Sequence, residues 1–106
     1  MSLSTHVLDA VSGRPAIGVV VTLTDAEGTT LTTAATDDDG RIAHLGDELS
    51  AGVYRLHFDT GTYFAASDTP AFYPEIVIAF EITAPAGKYH VPVLLSPYAY
   101  STYRGS

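Results

Sequence analysis

The chain has 106 residues, a formal net charge of -7 at pH 7, and no cysteine or tryptophan. This length suits one hydrophobic core, so we expect residues 1–106 to form a single domain. The absence of cysteine excludes a disulfide scaffold, a cysteine-ligated zinc site and a thiol nucleophile. The acidic balance excludes the basic surface that binding to nucleic acid or to an anionic membrane requires.

The N-terminal segment Met1–Asp9 shows none of the features of a secretion signal. It has neither a basic start nor an apolar central stretch. The longest apolar stretch, Ile76–Ile82, is interrupted by Glu81 and is far shorter than the ~20 residues that a membrane-spanning helix needs. We therefore expect a soluble, cytoplasmic protein.

Hydrophobic and polar residues alternate along most of the chain, which is the pattern of half-buried β-strands. Two other segments, Gly18–Thr24 and Thr29–Thr36, are rich in Val, Thr and Leu, and Asp25–Gly28 between them is typical of a hairpin turn. Three later segments alternate clearly: Val53–Asp59, with Tyr54, Leu56 and Phe58 inward; Glu75–Thr83, with Ile76, Ile78, Phe80 and Ile82 inward; and Lys88–Leu95, with Tyr89, Val91, Val93 and Leu95 inward.

About seven or eight short strands with turns between them indicate an antiparallel β-sandwich. Thr60–Asp68 is the only segment that suits a short helix. The open sheet edges need protection, and pairing into a symmetric oligomer would provide it. The opposite face of the last strand carries His90, Pro92 and Leu94. A polar imidazole among apolar side chains indicates that another subunit covers this face.

The sequence contains four histidines. His57 lies on the polar face of its strand and His44 in a segment typical of a turn, so we interpret both as surface residues. His6 and His90 are the candidates for a functional role. No two histidines have the spacing of a zinc motif, and Asp37–Gly40 lacks the ligand pattern of a calcium loop, so no metal or other cofactor is expected. A Gly-x-Ser-x-Gly nucleophile motif and a glycine-rich phosphate loop are also absent.

Two of the five cationic side chains stand out by their positions. Arg41 directly follows the Asp37–Gly40 turn, and Arg104 lies in the terminal segment Tyr103–Ser106. The end of the chain is too rich in tyrosine to be a frayed terminus, so we expect it to pack against the protein. From the residue types alone, the sequence indicates an acidic, oligomeric β-sandwich with a His/Arg site for an anion.

Motifs spread over the whole chain resemble those of one known family. They are Leu3–Asp9 (LSTHVLD), Thr36–Arg41 with its final Asp-Gly-Arg, Gly52–Gly61 (GVYRLHFDTG), Phe72–Ile76 (FYPEI) and Tyr89–Ser106, which ends in Tyr-Arg-Gly-Ser. These segments are similar to those of the 5-hydroxyisourate hydrolases, the transthyretin-like enzymes of urate breakdown. The terminal Tyr-Arg-Gly-Ser is the most specific motif, because the related hormone-carrying transthyretins lack it. Ala99 stands where many members have glycine.

The resemblance implies a fold and an assembly. The fold is a transthyretin-like (prealbumin-like) antiparallel β-sandwich of two four-stranded sheets with one short helix, formed by residues 1–106 as a single hydrolase domain. The implied assembly is a homotetramer, a dimer of dimers, with active sites in a channel at the dimer–dimer interface. This location agrees with the covered face inferred around His90.

The resemblance also implies a reaction, the hydrolysis of the ring amide of 5-hydroxyisourate to 2-oxo-4-hydroxy-4-carboxy-5-ureidoimidazoline. The family's catalytic positions correspond to His6, Arg41 and His90, and its substrate-binding positions to Tyr103, Arg104 and Ser106. An imidazole suits the deprotonation of water, and a guanidinium suits the stabilisation of an oxyanion. The resemblance does not decide which histidine is the base. We favour His6, with His90 positioning the water or donating a proton.

Two other classes of function remain open. A non-catalytic transthyretin-like carrier of a small aromatic ligand would need the sandwich and the tetramer, but neither the His/Arg set nor the Tyr-Arg-Gly-Ser tail. An adhesion or regulatory module would be expected to carry a secretion signal or linkers. The sequence favours the enzyme over both.

Overall fold

The structure, a computed structural model, describes all of residues 1–106. It contains nine strands and one helix. In chain order they are β1 (Ser2–Asp9), β2 (Arg14–Pro15), β3 (Val20–Asp25), β4 (Thr30–Ala35), β5 (Arg41–Ile42), β6 (Gly52–Phe58), α1 (Thr60–Ala66), β7 (Ile76–Ile82), β8 (Lys88–Ser96) and β9 (Ala99–Thr102).

The strands form two sheets, as the sequence predicts. The first has the order β2-β1-β8-β9, with β5 also paired to β1, and the second has the order β4-β3-β6-β7. The transthyretin-like sandwich with one short helix is confirmed. The first sheet has five strands instead of four, because the two-residue strands β2 and β5 pair with different parts of β1.

The sandwich is not purely antiparallel, because β1 and β8 run parallel over eight residue pairs. A parallel pair needs a long connection between its strands. Here the chain forms the whole second sheet and the helix between β1 and β8. This pairing brings the two ends of the sequence together in the middle of the first sheet.

The core between the sheets contains 18 buried hydrophobic residues. The inward positions predicted on β6 and β8 are all buried. On β7, Ile76 and Ile82 are buried as predicted, whereas Ile78 and Phe80 are only half-buried. The latter two side chains line a cleft between β7 and the residues around the end of β9.

The short helix α1 forms where the sequence predicts one, and it begins at a polar cap. The Asp59 carboxylate accepts a hydrogen bond from the backbone N–H of Thr62 at 3.2 Å. The helix ends at Ala66, two residues before the predicted end, and Asp68 has a positive φ that a helix cannot continue through. Tyr63 donates to the Asp9 carboxylate at 2.8 Å and so links the helix to the end of β1. No helix is long and apolar enough to cross a membrane.

Candidate active site

The first sheet presents a polar outward face built from alternate residues of β1 and β8. On β1, Leu3, Thr5 and Val7 are buried, so His6 lies on the opposite, outward side. The parallel register pairs His6 with Pro92, two residues from His90. With strands ~4.8 Å apart and a rise of ~3.3 Å per residue, the Cα atoms of His6 and His90 lie about 8 Å apart.

Arg41 joins this face from the other side of β1. Strand β5 pairs with β1 in a register that sets Arg41 directly opposite His6. The preceding turn fixes this position, because the Asp37 carboxylate accepts hydrogen bonds at 2.9 Å from the backbone N–H groups of Asp39 and Arg41. These bonds, above all the one from Arg41, lower the pKa of Asp37. The aspartate turn thus places an arginine beside a histidine.

Gly40 allows that turn to lie directly against β1. Its φ is 72°, a left-handed conformation that glycine adopts without strain. A Cβ at this position would collide with the backbone oxygen of Val7, whose N–H donates to the Gly40 carbonyl at 2.7 Å. The glycine is therefore required for the close approach that positions Arg41.

A cleft of about 230 Å³ lies on this outward face. Its lining residues are Ser2, Ser4, Arg41, Lys88, Tyr89, His90 and Ser106. Arg41 and Lys88 give the cleft positive charge in a protein whose net charge is -7. A cleft of this kind favours an anion or a group that becomes negative during a reaction.

The His90 imidazole is half-buried, and its Nδ1 forms a hydrogen bond with the Ser4 hydroxyl at 2.8 Å. Burial lowers the pKa of His90, and the positive charges of Arg41 and His6 lower it further, while a backbone hydrogen bond with Ser4 acts in the opposite direction. The lowered pKa favours the neutral form of this ring. A neutral imidazole is the form that can accept a proton.

The tail folds back along β8. Regular pairing between β8 and β9 stops at Val93 and Thr102, next to Pro92, which has no N–H to donate. It resumes at Gly105, whose N–H donates to the His90 carbonyl at 2.9 Å. The chain end is therefore held against the strand that carries His90. Ala99 needs no left-handed conformation, because Glu48 and Asp68 are the only non-glycine residues with positive φ.

The three predicted tail residues occupy different places. Ser106 lines the cleft with Arg41 and His90. Arg104 lies 4.7 Å above the Tyr89 ring and donates to the Lys88 carbonyl at 3.3 Å. Arg104 and Tyr103 line the neighbouring, more apolar cleft of about 330 Å³ with Ile78 and Phe80, and His90 borders both clefts.

The other two histidines lie away from this face, in agreement with their interpretation as surface residues. His57 belongs to the second sheet, where its imidazole is 3.6 Å from the carboxylate of Glu75. His44 is exposed and contacts the Asp47 carboxylate. No group of three or more His, Cys, Asp or Glu side chains is arranged to hold a metal ion.

Sequence reasoning did not predict two of the contacts of the His90 ring. Ser4 bonds to it although the two residues are 86 positions apart. Gly105 lies so close that a Cβ would collide with the ring and would come within 3.2 Å of Pro92. The alternation of β1 places Ser4 on the face of His6, and this was the one available signal. Only the pairing of β1 with β8 shows that the Ser4 hydroxyl contacts the His90 imidazole.

Replacing Gly105 with alanine tests the contact between the tail and His90. We expect Gly105→Ala to lower kcat by about tenfold or more, because the added methyl group must displace the imidazole or the tail, and small displacements of reacting groups are costly. The melting temperature should change little, since the residue lies outside the hydrophobic core. Steady-state kinetics and thermal melting on the same protein measure both. Unchanged kcat would show that the position of the ring is not critical.

Comparison with known proteins identifies the family. The model of the HIUase/Transthyretin family matches residues 3–105. This chain belongs to the HIUase/Transthyretin family. Among curated members, the 5-hydroxyisourate hydrolase of Salmonella typhimurium is 50% identical over 98% of this chain and 80% of its own length.

Solved structures of the HIUase/Transthyretin family match the fold closely. The 5-hydroxyisourate hydrolase of Klebsiella pneumoniae has a TM-score of 0.93 and 41% identity and covers 100% of both chains. Transthyretin from Sparus aurata has a TM-score of 0.91 and 35% identity over 98% of this chain and 96% of its own. The fold is therefore shared by proteins named as hydrolases and by transthyretins.

Proposed function

We propose that this protein hydrolyses 5-hydroxyisourate to 2-oxo-4-hydroxy-4-carboxy-5-ureidoimidazoline. The observation that carries the proposal is the cleft in which Arg41, His90 and Ser106 meet, with His6 beside them on the same face. Its relatives named 5-hydroxyisourate hydrolase reach 50% identity over nearly the whole chain. A carrier of an aromatic ligand would have no use for a charged cleft that includes the end of the tail.

The reaction adds water to the ring carbonyl and breaks the carbon–nitrogen bond. A base takes one proton from the water as its oxygen attacks the carbonyl carbon. The carbonyl oxygen becomes negative in the tetrahedral intermediate, and the Arg41 guanidinium donates hydrogen bonds to it. The intermediate then collapses, the ring nitrogen leaves with a proton, and the carboxylate of the product remains beside Arg41.

The base and the proton donor are the two imidazoles. From the sequence we favour His6 as the base, but the lowered pKa of His90 and its bond to Ser4 support the opposite assignment. We therefore assign proton acceptance to His90, whose lowered pKa favours the neutral ring. His6, on the neighbouring strand, positions the water or protonates the leaving nitrogen. Ser106 and Tyr103 bind the substrate, and Arg104 holds the tail in place.

The assembly that completes this site is a homotetramer, a dimer of dimers. Strands β7 and β9 are unpaired at the edges of their sheets and carry exposed apolar groups such as Val77 and Tyr100, which suits pairing with a second copy. The outward face of β1 and β8 would then lie in the channel between dimers. Light scattering of the purified protein, expected to give the mass of four chains, tests this assembly. The cytoplasmic location stays a prediction from the sequence.

The proposal is tested by the decay of freshly generated 5-hydroxyisourate, followed by ultraviolet absorbance with and without the protein. We expect the protein to accelerate the decay, and exhaustive chelation to leave the rate unchanged because no step uses a metal. Binding of aromatic ligands in the channel without acceleration would instead establish a carrier. Activity that is lost with a chelator and restored by zinc would overturn the mechanism.

Replacing Arg41 with lysine tests the role of the guanidinium. Lysine keeps the charge but loses the planar pair of donors, so we expect Arg41→Lys to lower kcat on the order of a hundredfold with little change in melting temperature. Arg55→Lys, on the outward side of the second sheet, is the matched control and should retain full activity. Full activity in Arg41→Lys would limit Arg41 to a structural part of the turn.

A further inference from the structure

We propose that Ser4 is a positioning residue that holds the proton of neutral His90 on Nδ1 and leaves Nε2 free to accept a proton in the cleft. This inference deepens the proposed function and rests on it, because His90 acts as a proton acceptor only if the protein catalyses the hydrolysis. The arrangement of the ring can be measured without any substrate.

The contact between the two residues follows from the sheet itself. The parallel register of β1 and β8 sets Ser4 directly opposite His90. Both side chains are half-buried on the outward face, and the Ser4 hydroxyl lies 2.8 Å from Nδ1. On the far side of the ring, Gly105 approaches the Cδ2 edge so closely that no side chain would fit. The imidazole is thus held between a hydrogen bond on one edge and the tail on the other.

The chemistry of Ser4 decides which nitrogen carries the proton. The Ser4 hydroxyl is the group within hydrogen-bond distance of Nδ1, and a hydroxyl can accept as well as donate. The protonated ring carries hydrogen on both nitrogens, so the hydroxyl must then accept from Nδ1–H, and this bond is kept when the ring gives up the proton on Nε2. With Nδ1 protonated, the neutral ring must carry its lone pair on Nε2. Nε2 is then the nitrogen that can act as the base.

The charged groups around His90 do not determine which of its nitrogens carries the proton, so the hydrogen bond to Ser4 is needed. The charged side chains that line the two clefts bordered by His90 are Arg41 on β5, Lys88 on β8, Arg104 in the tail and Glu81 on β7. His6 lies on the neighbouring strand β1, and all of these groups except Glu81 are cationic or become so at low pH. Positive neighbours oppose a second proton on the ring but do not select a tautomer. The hydrogen bond to Ser4 supplies that selection.

Two-bond nitrogen–proton correlation spectra of the imidazole rings test the proposal on the protein without substrate. We expect His90 in the wild type to show a protonated Nδ1 and an unprotonated Nε2. In Ser4→Ala both nitrogens should shift toward values of a mixed tautomer population, and the pKa of His90 should fall, because the charged ring loses an acceptor. Ser4→Thr keeps the hydroxyl and fits a strand, so it should restore the wild-type pattern.

Kinetics on the same variants separate positioning from substrate binding. We expect Ser4→Ala to lower kcat by about tenfold with KM nearly unchanged, and its acid limb to lie at lower pH than in the wild type. Ser4→Thr should restore kcat. Ser101→Ala is the matched control, because Ser101 pairs with Leu94 on the same face and lines neither cleft.

The possible outcomes are distinguishable. A wild-type spectrum with the proton on Nε2, or an unchanged tautomer in Ser4→Ala, would overturn the role of Ser4. The expected spectra together with no acceleration of 5-hydroxyisourate decay by the wild type would leave that role intact and refute the proposed function. If Ser4→Ala does not fold, the spectrum of the wild type and that of Ser4→Thr still decide the tautomer.

Discussion

Deleting Tyr103–Ser106 is expected to abolish ring opening while the sandwich remains folded. The truncation removes Ser106 from the cleft and removes the Gly105 backbone that covers the His90 ring. The hydrophobic core contains no residue beyond Leu95, so its packing does not depend on the tail. The losses to stability are the hydrogen bond from Gly105 to His90 and the contacts of Arg104 with Tyr89 and Lys88.

These losses set the size of the expected change in melting temperature. A hydrogen bond contributes a net ~1 kcal/mol, and an exposed cation–π contact contributes about 0.5–1 kcal/mol. In a domain of this size, ~1 kcal/mol corresponds to about 4–8 °C. We therefore expect the melting temperature to fall by about 6–16 °C and the circular dichroism spectrum to remain unchanged. Melting and ring-opening rate are measured on the same truncated protein. A truncated protein that keeps its activity would contradict the role of the tail and remove the most specific support for the hydrolase assignment.

Replacing either His6 or His90 with alanine should also cause a large loss of activity. We expect His90→Ala and His6→Ala each to lower kcat on the order of a hundredfold or more, because each removes one of the two groups that transfer protons. Neither residue belongs to the buried core, so both variants should fold and assemble as the wild type does. His57→Ala is the control. This variant removes a surface imidazole of the second sheet and should have nearly the wild-type kcat.

The pH dependence distinguishes between the two histidines. If neutral His90 is the base, the wild-type rate falls as pH decreases through the pKa of His90, which burial and the positive neighbours set below the usual histidine value. The charge of His6 contributes to that lowering. The residual activity of His6→Ala should therefore show its acid limb at higher pH than in the wild type. A limb that does not move, or that lies above the usual histidine range in the wild type, would exclude His90 as the base.

Local patterns in the sequence were sufficient to predict the longer strands β3, β4, β6, β7 and β8. Alternation identified the buried sides of β6 and β8, because successive side chains of a strand point to opposite faces. The acidic start and the final glycine of Asp25–Gly28 identified the hairpin, where Gly28 has a φ of 85°. The residues of Asp37–Gly40 also predicted a turn after β4, although the sequence did not show that this turn is followed by β5 and sets Arg41 in place.

The candidate catalytic residues came from the resemblance to a family, because neither histidine belongs to a local motif. Their residue types indicated acid–base chemistry and an anion site, but spacing along the chain carried no information about their distances. His6 and His90 are separated by the entire second sheet and the helix in sequence. Chemistry assembled from distant strands has no local pattern that reasoning from a single chain can recognise.

Sequence by itself determined that this protein is an acidic β-sandwich, since periodicity, turn residues and composition act over a few neighbouring positions. Only the tertiary structure decided what surrounds His90. The parallel register of β1 and β8 sets Ser4 against Nδ1, and Pro92 interrupts the β9 pairing so that Gly105 resumes it over the ring. The tertiary structure also decided that Ile78 and Phe80 are only half-buried, because the inward face of a strand is buried only where another part of the chain covers it. These contacts join residues far apart in sequence, and packing alone determines which of them meet.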